Sequence, residues 1–124
     1  MADRNMAGQF YKYSTASETA QVTIAEGYTP ALGDIVKNAG GSAQKIDPAT
    51  DTTSDDIIWG VVNNITPVLI EAEFPSCTIA IQAKAGIYIP AANFGSTAPT
   101  AGSKAFGINI IDNADGDGNL IGSF

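Results

Sequence analysis

The stretch TIAIQAKAGIYIP (78–90) alternates almost without interruption. Ile79, Ile81, Ala83, Ala85, Ile87 and Ile89 fall on one side, and Ala80, Gln82, Lys84, Gly86 and Tyr88 on the other. Side chains of a strand point to opposite faces with a period of two, so this pattern predicts one long strand with an apolar face. Ile79, Ile81, Ile87 and Ile89 are its candidate core or subunit-interface residues. Gly86 provides for a bend or bulge, and Pro90 closes the strand. Lys84, on the polar side, reads as a solvated or edge-protecting charge. No reactive group stands near, so the question is what else the chain holds.

Moving outward, the same period recurs. VLIEAEF (68–74) puts Val68, Ile70, Ala72 and Phe74 on one face between Pro67 and Pro75. DIIWGVV (56–62) is a continuous apolar run rich in β-branched residues and reads as a buried strand. SKAFGINII (103–111) aligns Phe106, Ile108 and Ile110. AQVTIA (20–25) and GDIVKN (33–38) are shorter candidates, and SAQKI and NLIGSF weaker ones. Turn chemistry separates them: NAGGSA (38–43) reads as a hairpin connection, and NADGDGN (113–119) as a turn. DPATDTTSDD (47–56) reads as an acidic loop, and PAANFGSTAPTAG (90–102) as a surface loop of small residues. TASE (15–18) has capping-box spacing, but no helical apolar stripe follows it. Many short strands with little helix predict an all-β fold, a small antiparallel β-sandwich or barrel, with jelly-roll wiring among the alternatives.

The first twenty residues lack sustained alternation and hold three closely spaced aromatics, Phe10, Tyr11 and Tyr13. The predicted organisation is therefore a partly flexible, extended N-terminal arm over 1–20 and a single β domain over 21–124. A frayed terminus and an arm that orders against a partner, anchored by those aromatics, fit this segment equally.

Composition narrows the chemistry. The chain of 124 residues carries thirteen acids against six bases and a formal charge of −7. Phosphate backbones and anionic lipid surfaces repel such a chain, so neither nucleic acid nor membrane is expected as a partner. There is no histidine, which removes the commonest general base and metal ligand. The single cysteine, Cys77, allows no intrachain disulfide and reads as a small buried hydrophobe. MADRNMAGQF has no apolar core of signal-peptide length, so synthesis in a reducing compartment is expected, and little weight falls on the sequon NIT (64–66).

Catalytic sets are equally scarce. Lys12, Lys37, Lys45, Lys84 and Lys104 occupy no serine–lysine motif, and Glu71 and Glu73 share a strand face in the way exposed carboxylates commonly do. Asn113, Asp115, Asp117 and Gly118 match the start of a calcium loop, but Phe124 stands where the bidentate glutamate belongs, so a turn is the preferred reading. The expectation is a non-enzyme without metal or cofactor: a structural or interaction module.

Four pieces occur in order: ALGDIVKN, IIWGVVNNITP, IAIQAKAGIYIPA and TAGSKAFG. Gly33, Asp34 and Val36, then Gly60 and Val61, then Gly86, Tyr88 and Pro90, then Ala101 and Gly102 carry a pattern that resembles the capsid cement, or head decoration, proteins of tailed bacteriophages. The likeness covers residues 31–111. It implies a structural virion protein, made in the host cytoplasm, that binds the outer surface of a phage head as a homotrimer and ties neighbouring copies of the major capsid protein together against internal DNA pressure. By the position of such arms in the family, it also implies that Phe10, Tyr11 and Tyr13 contact the capsid. The alternative expectation is a β-sandwich module of a fibre, tail or cell-surface protein that binds carbohydrate or protein.

Overall fold

A computed structural model describes residues 6–11, 19–51, 58–65, 76–80, 86–112 and 118–123, with Ser76–Ala80 described by its backbone. In chain order the strands are β1 (Thr19–Thr23), β2 (Ile35–Ala39), β3 (Ser42–Lys45), β4 (Ile58–Asn64), β5 (Ser76–Ala80), β6 (Gly86–Pro90), β7 (Lys104–Ala105), β8 (Ile108–Asp112) and β9 (Asn119–Ser123). One sheet has the order β1-β5-β4-β2-β3 and the other β6-β9-β8-β7. Every ladder between named strands is antiparallel. The fold is all-β, as the period-two segments predict.

The five-stranded sheet curls back on itself. Just past β1, Ile24 forms a parallel bridge with Ala43 of β3, and the Ala25 N–H donates to the Ala43 carbonyl at 2.9 Å. The two edge strands of that sheet thereby meet, which gives it a barrel-like form around Ile24, Val36, Ala43 and Val62, with Val22, Tyr28 and Trp59 packed against them. A second cluster joins the two sheets: Ile35 and Val61 of the first, with Ile46 just past β3, meet Ile87, Ile89, Ile108, Ile110 and Leu120 of the second, with Phe94 just past β6. Adjacent residues Ile35 and Val36 thus serve different clusters, as do Val61 and Val62. Each fully buried aliphatic side chain stabilises by about 1.5–3 kcal/mol, so β2 and β4 hold the molecule together from both faces.

Local irregularities explain how β4 serves both clusters. Opposite Val36 and Lys37, β4 presents Gly60 and Ile58, which leaves Trp59 as the extra residue of a bulge. The bulge shifts the alternation, so that Ile58 and Val61 reach the inter-sheet cluster while Trp59 and Val62 reach the other. The hairpin at NAGGSA forms as its composition requires: Gly40 and Gly41 take φ of 65° and 95°, and the Gly41 N–H donates to Asn38 Oδ1 at 2.7 Å.

Three expectations need correction. The single long strand over 78–90 is two strands in different sheets: β5 pairs with β1 and β4, whereas β6 pairs with β9. Alternation specifies which face a side chain takes, not which strand its backbone bonds, and residues 81–85 between the two lie outside the described residues. The run SKAFGINII is a hairpin rather than one strand. Phe106 and Gly107 form its turn with φ of 51° and 85°, and the Phe106 ring nonetheless reaches the inter-sheet cluster, stacked on Phe94 at 6.3 Å between centroids. The small-residue loop after β6 is not wholly on the surface: it begins with a 3₁₀ turn, Ala91–Phe94, that buries Asn93 and Phe94. The candidates at 15–18 and 68–74 lie outside the described residues.

Candidate interaction surfaces

Phe10 and Tyr11 belong to a short segment, Met6–Tyr11, that lies along the free side of β6; Tyr13 lies outside the described residues. The segment, here called the strap, bonds as an irregular edge strand. Gly8 N–H donates to the Tyr88 carbonyl at 2.8 Å, Tyr88 N–H to the Gln9 carbonyl at 3.0 Å, and Tyr11 N–H to the Gly86 carbonyl at 2.7 Å. Phe10 forms an antiparallel bridge with Ile87, and its ring packs on the inter-sheet cluster. Tyr11 meets Tyr88 edge-on with centroids 5.9 Å apart. Ala7 is buried at 4% exposure, and Gly8 is pressed into a slot where a Cβ would lie 2.5 Å from the Val62 carbonyl oxygen and 3.0 Å from Gly33 N. Of the arm expected over 1–20, Met6–Tyr11 packs against the β domain through these contacts, and residues 1–5 and 12–18 lie outside the described residues. At least Met6–Tyr11 is part of the folded body, because an unpaired β6 edge and a half-covered apolar cluster both gain from being covered.

Of the strand candidates, Ile87 and Ile89 are fully buried in the inter-sheet cluster. Ile79 lies on β5, opposite Ala20 of β1 and Val62 of β4, and Ile81 lies outside the described residues. Ile87 and Phe10 come together across the strap, a pairing that neither segment's own pattern contains.

The motif pieces at Gly33–Asp34 and Gly86–Pro90 converge in space. Gly33, with φ of 89°, leaves no room for a Cβ, since one would collide with the Pro90 ring. Its carbonyl accepts from Asn93 Nδ2 at 2.7 Å, and its N–H donates to the Val62 carbonyl at 2.8 Å. Asp34 is buried and accepts from the Tyr28 hydroxyl at 2.6 Å and Ala31 N–H at 3.0 Å, while Lys45 Nζ stands 3.5 Å from its other oxygen. These contacts fasten the loop before β2 onto the barrel.

A second carboxylate does the same for the loop after β3. Asp51 is 7% exposed, accepts from Lys37 Nζ at 2.6 Å and from Asp47 N–H at 2.8 Å, and so ties that loop back to β2. The Lys37 hydrogen bond, followed by the Asp47 N–H, holds the Asp51 carboxyl below its ordinary pKa of 3.8 against the opposing effect of burial. Both clusters were missed from sequence. Asp34 read as the start of the strand candidate GDIVKN and Asp51 as a loop acid, and their lysine partners come from strands whose pairing the alternation does not specify.

These polar groups satisfy one another, and among the described residues no group of three His, Cys, Asp or Glu is placed to hold a metal ion. Among the described residues the exposed large apolar side chains are Leu32 and Ile65, each 40% exposed, and Ile111, 51% exposed on the bulged end of β8. Asn113, Asp115 and Asp117 of the calcium-like turn, and Glu71 and Glu73, lie outside the described residues. Comparison with known proteins gives no matching family model, no matching curated protein and no matching solved structure.

Proposed function

We propose that this protein is a non-enzymatic structural component of a phage virion, a cement protein that binds the outer surface of the head as a homotrimer and links neighbouring major capsid subunits. The observation that carries the reading is the junction of Gly33, Pro90 and Asn93. It brings two of the ordered motif pieces that resemble the decoration proteins into one close-packed unit, so the pattern reads as the requirement of a fold rather than as scattered strand residues. The acidic charge of −7 supports it, since like-charged particles stay dispersed. Repeating one modest contact three times about a symmetry axis gains avidity without a catalytic group or cofactor.

In this reading Tyr11, edge-on to Tyr88, faces the shell, while Phe10 is engaged by the protein's own core. The test is the copy number in purified heads. A fixed stoichiometric ratio to the shell protein, with heads stripped of this protein releasing DNA at a lower temperature, is the expected result. Its absence from the head defeats the proposal.

A further inference from the structure

We draw no further inference here: the strongest candidate, the apolar surface patch at the start of β6 where Tyr11, Ile121 and the exposed Ile111 gather around Gly86, carries none because nothing in the structure shows what covers it.

Discussion

The two sheets face the same difficulty and handle it differently. Each must satisfy the backbone groups of its outermost strands. The β1-β5-β4-β2-β3 sheet bends until the end of β1 meets β3 at one bridge, Ile24 with Ala43, where the Ala25 N–H also donates to the Ala43 carbonyl. The β6-β9-β8-β7 sheet stays open, tapers to two residues at β7, and covers β6 with a segment from the far end of the chain. The first solution is internal to a continuous sheet. The second depends on a segment from outside the sheet, held by three backbone hydrogen bonds and the packing of Phe10.

The comparison breaks most completely where the layers join. Ile87 is fully buried, contacts the inter-sheet cluster and stands opposite Phe10 of the strap. Ile87→Ala should cost about 2–5 kcal/mol, the range for an aliphatic truncation that leaves a cavity in a packed core. Chemical denaturation would show this as a lower midpoint with an unchanged slope. A loss under 1 kcal/mol would mean that the sheets are not held by this cluster.

The next largest effect should separate strap from body. Gly8 takes φ of 80°, and a Cβ there meets the Val62 carbonyl. Gly8→Ala should cost about 1–3 kcal/mol through strain at a left-handed position and through that close approach. The signature is local: the Tyr88 amide, which donates to Gln9, should lose protection from hydrogen exchange, while the Val62 amide, which donates to Asp34 in the other layer, keeps it. Equal loss at both amides would show that strap and barrel unfold as one.

How much of this arrangement is legible in the sequence varies with the range of the contact. β1 to β4 are readable because local alternation, β-branched runs and the Gly40–Gly41 turn all favour the same structure. The division of 78–90 between two sheets is not readable, because both β5 and β6 satisfy the same alternation and only their partners differ. Trp59 as a bulge and Phe106 as a turn residue at positive φ likewise depend on what each ring packs against. Of the candidate surface, the aromatics of the strap were visible. Gly8, which decides whether the strap fits, was not, because nothing in MAGQF distinguishes a slotted glycine from a linker glycine.

The smallest effect concerns the loop ties and carries a pH dependence of definite sign. Asp51 has a native pKa below 3.8, chiefly because Lys37 hydrogen-bonds its ionised form. A carboxylate with a depressed native pKa binds fewer protons folded than unfolded. Its stabilisation is therefore complete above the unfolded value and is lost as pH falls from there through the lowered native one. Asp51→Asn keeps one acceptor oxygen but removes the charge, so it should cost about 1–2 kcal/mol at neutral pH, within the range for hydrogen bonds to charged groups and reduced by the partial exposure of Lys37. The difference between wild type and Asp51→Asn should then shrink as the medium is acidified below the ordinary carboxylate range. Among the described residues the hydrogen bonds of Asp51 go to the loop after β3 and to Lys37 of β2, so the loss should leave Tyr88 protection unchanged and confine itself to the barrel side. A constant difference across that pH range would mean that Asp51 acts through its shape and its bond to the Asp47 amide, and that the ion pair with Lys37 contributes nothing of its own.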